Sequence, residues 1–211
     1  MPDKPDKDPT ERKPNRRKIF ITAIISLTSV LIIAVLCIAL FYFLYKRGFF
    51  LPKYITWNNQ SDTFTIDNKT VDFKLSKRKL SIIDHDTGEL LYKAPKEWLV
   101  SDYFFADIDS DERNEVVLIV WKRGSFGEHK PFWHKGKDNK WTQHIFIYEW
   151  DSERKDRLDP KWMSSGLGIK VHKFEVDEKN RVHFIDDEGE ETVWQWVGWG
   201  LTLVDVIPVS E

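Results

Sequence analysis

Hydrophobic and polar positions along this chain fall into two regimes. From Ile19 to Tyr45 the sequence IFITAIISLTSVLIIAVLCIALFYFLY is apolar on every side and carries no charged residue. About 20 apolar residues suffice for a helix to cross a bilayer, so this longer run predicts a membrane-spanning helix. Ser26, Thr28 and Ser29 do not weaken it, because their hydroxyls can bond back to carbonyls of the preceding turn. Beyond Ser61 the pattern changes to short alternating or wholly apolar segments divided by turn residues, with no sustained 3.6-residue period. FTIDNKTVDFKL predicts a hairpin turning at 67–69, and LSIID and LLYKA predict strands joined by a turn at His85–Glu89. Gly88 stands where that turn needs a positive φ. EVVLIVW is apolar throughout, as expected of a central strand covered on both faces. SDYFFADID, HIFIYEW, KWMSSGL, IKVHKFEV, RVHFID and TVWQWVGWGLTLVDVIPV supply the remaining strands. The expected fold is an N-terminal transmembrane helix followed by an all-β, antiparallel domain.

Charge then gives an orientation. Residues 1–18 form a Pro-rich, charged tail with almost nothing to bury, which predicts disorder. Arg12, Lys13, Arg16, Arg17 and Lys18 crowd its membrane-proximal end, against Lys46, Arg47 and Lys53 on the distal side. The larger basic cluster should stay cytoplasmic, leaving the C-terminal domain outside the cell membrane. The apolar run is far longer than the roughly 7 to 15 residues of a signal-peptide core and lacks a small-residue cleavage site, so residues 19–45 read as an uncleaved signal anchor. Residues 46–60 form a connector broken by Pro52 and the Asn58, Asn59 pair. Residues 61–211 form the β domain, with an insertion near 122–143 marked by Gly124, Gly127, Pro131 and Gly136.

Composition narrows the function classes. The lone cysteine, Cys37, lies in the apolar run, so the β domain has neither a disulfide nor a Cys-based metal site. All ten Trp lie beyond the helix, which suits an aromatic-rich core or a ligand-binding face. Beyond the tail and helix flanks, 23 basic residues stand against 30 acidic ones, and this excess of acid speaks against a nucleic-acid partner.

A faint internal repeat organises the β domain. LSIID, IFIYEWD and VHFIDD each lead into an acidic turn, and FFADIDSDERNEVVLIV parallels FEVDEKNRVHFI. The spacing approaches that of a four-stranded propeller blade, about 40 residues, and about three such units fit. Three fall short of the usual four for a closed propeller. The alternatives are a blade-like stack, an incomplete ring finished by a partner or oligomer, and an ordinary sandwich.

Within this repeat, Asp107, Asp109 and Asp111 alternate in DIDSDERNE, with Glu115 four residues later. Carboxylates so spaced can wrap a hard cation such as Ca²⁺, with Arg113 offering its carbonyl. FFADIDSDERNEVVLIV resembles the acidic loop and following strand of FG-GAP or VCBS-type repeats, the blade units of integrin-like β-propellers. DHDTGELLY is similar to blade turns of bacterial propellers, and TVWQWVGWGLTLV to a closing blade strand. The resemblance implies Ca²⁺ bound by Asp107, Asp109, Asp111 and Glu115 in a hairpin loop. The family loop carries Gly where this chain has Glu112 and Asp where it has Glu115. A solvated acidic turn that binds nothing is the alternative.

Other constellations carry less chemistry. His129, His134 and His144 match no zinc-ligand spacing and read as surface or partner-binding histidines. Ser164 and Ser165 lack a nucleophile-elbow pattern and read as turn residues. Asn59 and Asn68 open glycosylation sequons, which matter only in a eukaryotic secretory pathway. The insertion interleaves Phe126, Phe132, Trp133 and Trp141 with Lys and His, as in a protein hot spot or a site for an anionic envelope polymer; the alternative is a lid folded over the sheet. The expected function is a membrane-anchored interaction module serving assembly or handling of the cell envelope. The alternative is an envelope hydrolase acting on a surface glycan or peptide, with Asp84, Asp86 or Asp107 in catalytic roles.

Overall fold

The structure, a computed structural model, describes residues 16–66, 69–127, 129–151 and 157–209. The expected disorder of the tail falls mainly on residues 1–15, outside the described residues, as do the turn residues Asp67 and Asn68. The chain divides into two compact units, residues 1–50 and 51–211.

Among the described residues, the first unit contains one helix, α1, Arg16–Lys46, which takes in three residues assigned to the tail by pattern alone. Its 31 residues measure about 46 Å at 1.5 Å per residue. The segment Ile19–Lys46 is long and apolar enough to span a membrane, and none of its most apolar stretch is buried within the protein. Thr28 Oγ1 and Ser29 Oγ both donate to the Ile25 carbonyl, at 2.9 and 2.8 Å, so these hydroxyls are satisfied inside the helix as expected. The helix ends in a Schellman motif: Phe49 N donates to the Leu44 carbonyl and Gly48 N to that of Tyr45. Gly48 takes the left-handed conformation this motif needs, at φ 68°.

Among the described residues, the second unit holds twelve strands in three antiparallel sheets, each built from four consecutive strands. Sheet 1 contains β1 (Gln60–Ile66), β2 (Lys69–Ser76), β3 (Lys79–Asp84) and β4 (Leu90–Lys93). Sheet 2 contains β5 (Leu99–Ala106), β6 (Glu115–Arg123), β7 (Trp141–Asp151) and β8 (Arg157–Met163). Sheet 3 contains β9 (Val171–Val176), β10 (Val182–Asp186), β11 (Glu191–Val197) and β12 (Gly200–Ile207). Among the described residues the sheets form no closed barrel or ring.

Two hydrophobic cores place sheet 2 between the others. Val71, Phe73, Leu75 and Ile82 of sheet 1 pack with Val116, Leu118, Val120 and Phe146 of sheet 2. Val117, Ile119, Ile145 and Ile147 of sheet 2 pack with Val182, Phe184 and Leu201 of sheet 3. Successive side chains of a strand point to opposite faces, so the unbroken apolar run of β6 feeds both cores in alternation. That is the two-sided burial expected of EVVLIVW. The other face of sheet 1 carries polar, exposed residues such as Thr63, Thr65 and Lys74, whereas sheet 3 mixes exposed Gln195 and Thr202 with exposed apolar residues of β12, among them Leu203, Val204 and Val206.

Three local expectations change. TVWQWVGWGLTLV is not one strand but the hairpin β11–β12, turning at Gly198 and Trp199. The ends of the 122–143 insertion belong to β6 and β7, leaving a loop at 124–140. LSIID and IFIYEWD form third strands of their sheets, whereas VHFID is a second strand. The first hairpins β5–β6 and β9–β10 are true structural equivalents, and Gly88 has the positive φ foreseen for its turn, 72°.

Candidate functional site

The loop between β5 and β6 is built on Asp107. Its carboxylate accepts the backbone N–H groups of Asp111 and Glu112, at 2.9 and 3.1 Å, and so holds the turn that follows β5. Ser110 and Glu112 sit at φ 63° and 69°. Left-handed backbone is costly for residues other than Gly, so this curvature carries strain at the position where the resembled loop has glycine.

Three of the five expected ligands converge. Asp107, Asp109 and Glu115 each bring a carboxylate oxygen within 4.8 Å of the others, a spacing that could hold a metal ion. Asp111 instead faces Arg113, whose Nη2 and Nε donate to its Oδ2 at 2.6 and 3.1 Å. Arg113 therefore enters the loop through its guanidinium.

A lysine absent from the sequence reading completes the cluster. Lys161 Nζ donates to Asp109 Oδ2 at 2.5 Å, Glu149 Oε1 at 2.7 Å and Glu115 Oε1 at 2.9 Å. The side chain of Glu115 is only 2% exposed and that of Lys161 11%. Glu115 also accepts the Ile108 N–H at 2.8 Å, pinning the loop to the start of β6. Burial alone would push the Lys161 ammonium down, but its bonds to Asp109, Glu149 and Glu115 outweigh that and hold it above the ordinary lysine value. Burial raises the Glu115 carboxyl, which Lys161 and the Ile108 N–H offset only in part. Asp109 Oδ1 is buried and finds no hydrogen-bond donor among the described residues.

A bulge brings Lys161 here. Pairing of β7 with β8 runs Ile147↔Trp162 and then Tyr148↔Pro160, so Lys161 is the extra residue. Bulges re-aim side chains, and β8 is an edge strand, where Pro160 is tolerated. A bulge leaves only a faint mark in sequence, here the Pro–Lys pair inside an otherwise strand-like segment. A cleft of about 280 Å³ opens beside the cluster, with Phe64, Phe105 and Trp150 as apolar wall and Arg113, Glu115 and Glu149 as polar lining.

The remaining candidates are placed as follows. Asp84 caps its own turn, accepting the N–H groups of Asp86 and Thr87 and meeting Lys69 Nζ at 3.1 Å. The Thr87 N–H and then Lys69 lower its carboxyl to about 2. Asp86 is exposed in that turn. Ser164 is a connecting residue whose Oγ accepts the Ile145 N–H, and Ser165 is exposed. Asn59 is exposed and accepts the Lys77 N–H, while Asn68 lies outside the described residues. The three histidines share no single environment. His129 is exposed, His134 meets the Phe126 ring edge at 5.0 Å, and His144 is fully buried. His144 lies within 3.0 Å of the Ser164 and Gly124 carbonyls and 2.8 Å of Thr142 Oγ1, and burial pushes its pKa down. It is therefore a core residue at the root of the insertion. Of the four insertion aromatics, Phe126 and Trp141 are half-buried, whereas Phe132 is 91% and Trp133 70% exposed.

The sequence matches no protein-family model and no curated protein.

Proposed function

We propose that this chain is a single-pass membrane protein, N-terminus in the cytoplasm, whose all-β domain acts outside as an interaction module in assembly or handling of the cell envelope. The observation that carries the choice of binding over hydrolysis is the capture of Asp109, Glu115 and Glu149 by one ammonium. A general acid and base need carboxyls free to exchange protons with substrate. Here the densest carboxylate cluster is a structural tie, and Asp84 and Asp107 are spent on turns. The adjoining cleft, lined by aromatic rings and charged groups, suits one projecting group of a partner. The three consecutive four-stranded sheets support the FG-GAP or VCBS-type reading of the repeats. Cross-linking and pull-down from detergent-solubilised membranes should recover a stable partner that is lost when Trp150→Ala alters the cleft. Turnover of envelope glycan or peptide fragments by the purified chain would overturn this reading.

A calcium-loaded form is a second reading, favoured by the clustering of Asp107, Asp109 and Glu115 and by the unpartnered Asp109 oxygen. The residues fit a hard cation, which would have to displace Lys161 from its three carboxylates. Ca²⁺ should then raise the melting temperature of the wild type, and more so that of Lys161→Ala, but not that of Asp109→Ala. No shift in either of the first two would sink the calcium form.

A further inference from the structure

The insertion between β6 and β7 is a braced loop with an apolar tip. Its root is locked: Gly124 N donates to the Lys140 carbonyl, Ser125 N to Asp138 Oδ2 at 2.7 Å, and Lys122 Nζ to the carbonyls of Phe126 and Gly127. At the tip, His134 N donates to the Pro131 carbonyl at 3.1 Å, closing a turn with Phe132 and Trp133 at its two central positions. The i to i+3 bond gives a defined turn at the tip, on which both rings are exposed. The rings meet edge to face with centroids 5.0 Å apart, and among the described residues Phe132 is the most exposed large apolar one. Exposed apolar surface of this kind marks an interaction site.

The charge around the tip identifies what it meets. Lys130, Lys135, Lys137 and Lys140 are all exposed, Lys130 with its Nζ on the Gly136 carbonyl; of the loop's two acids, Asp138 is turned into the root toward Ser125 and Glu128 lies outside the described residues. The loop is thus a basic patch on a domain with an excess of acid. Trp and neighbouring rings favour the headgroup level of a bilayer, and lysines beside an anionic surface add electrostatic attraction. A soluble polyanion would engage the lysines but leave two rings in water.

We propose that the Pro131–His134 turn inserts Phe132 and Trp133 into the headgroup region of an anionic lipid bilayer, with the surrounding lysines on the lipid phosphates. This rests on the membrane-anchored reading above, since the anchor keeps the domain at a bilayer. The loop acts as a second, reversible contact with lipid.

The test uses the full chain with Cys37→Ser and Phe132→Cys, labelled at position 132 with an environment-sensitive fluorophore. It is placed in nanodiscs of phosphatidylcholine alone or mixed with phosphatidylglycerol. The expected result is a blue-shifted, iodide-protected emission with phosphatidylglycerol, reduced with phosphatidylcholine alone and lost in Lys135→Gln/Lys137→Gln. Unshifted, iodide-accessible emission in the anionic discs overturns the proposal, as does an equal shift in both lipids or a shift that appears only on adding a soluble polyanion or protein. Alkaline carbonate extraction of membranes bearing the same chain separates the two readings. Release into the supernatant overturns the anchor and this proposal together, whereas retention with unshifted emission overturns this proposal alone.

Discussion

The first hairpins of sheets 2 and 3 start alike and are stabilised differently. Phe104-Phe105-Ala106-Asp107 and Phe174-Glu175-Val176-Asp177 each end a strand in an aspartate that caps the next turn. Asp177 serves a short turn and finds its cation locally: Arg181 Nη2 lies 2.6 Å from its Oδ2, with His183 at 3.2 Å. Asp107 opens a longer loop in which Arg113 answers only Asp111, and the counter-charge for Asp109 and Glu115 comes from Lys161, 46 residues beyond Glu115. The two loops touch where Asn180 Nδ2 donates to Ser110 Oγ at 3.2 Å. Lengthening a turn while adding carboxylates thus converts a local motif into one that depends on the whole sheet.

The strongest way to break this contrast is to remove each cation. Lys161→Ala leaves the buried Glu115 and the half-buried Asp109 without a counter-charge, and should destabilise the β domain by about 3 to 5 kcal/mol in denaturant titration. Arg181→Ala removes a more exposed pair and should cost less than about 1 kcal/mol. Equal losses would mean that the distant lysine carries no special weight. Removing the caps should come next. Asp107→Ala and Asp177→Ala each strand two backbone N–H donors and should cost about 1 to 2 kcal/mol.

Acidity should separate the loops further. The bond from Glu191, helped by Asp177, holds the His183 imidazolium above its ordinary value of 6.5 despite burial. Its stabilisation is therefore complete below pH 6.5 and lost as pH rises through the raised value. Burial works against the Asp177 carboxylate, but Arg181, His183 and the Lys179 N–H hold it below its ordinary 3.8. Its contribution is present above pH 3.8 and disappears as pH falls through the lowered value. In urea midpoints measured against pH, His183→Gln should flatten the neutral-to-alkaline limb and change the acid limb less, because Arg181 and the Lys179 N–H still hold Asp177 low. An unchanged alkaline limb would show that this histidine is not charged in the fold. Backbone strain should give the smallest effect. Glu112→Gly should stabilise by no more than about 1 kcal/mol, whereas Asn180→Gly, at φ 58°, should be nearly neutral because Asn tolerates that conformation.

Much of the architecture was legible in the chain. Alternation located the strands of the first sheet, turn residues located the His85–Glu89 turn, and the unbroken run of β6 announced two-sided burial. The repeat was legible too, but its sharper signal is Phe-x-x-Asp at Phe64, Phe104 and Phe174 rather than the LSIID-like segments, which mix second and third strands. Acidic spacing brought Asp107, Asp109 and Glu115 to notice but could not separate Asp111, because the choice between a shared centre and Arg113 is made by side-chain direction.

Sequence by itself determined the length and apolarity of α1 and the antiparallel, all-β character of the domain, because each follows from composition and spacing within a few tens of residues; it left three blade-length units and an ordinary sandwich both open, and the strand pairing decided for three four-stranded sheets. Only the tertiary structure decided that a bulge in β8 aims Lys161 at the acidic loop, that His144 is core, and that Phe132 and Trp133 stay in the open while Phe126 and Trp141 are half-covered. A shift of one residue in strand pairing sends a side chain to the opposite face, and no local pattern records which distant strand will receive it.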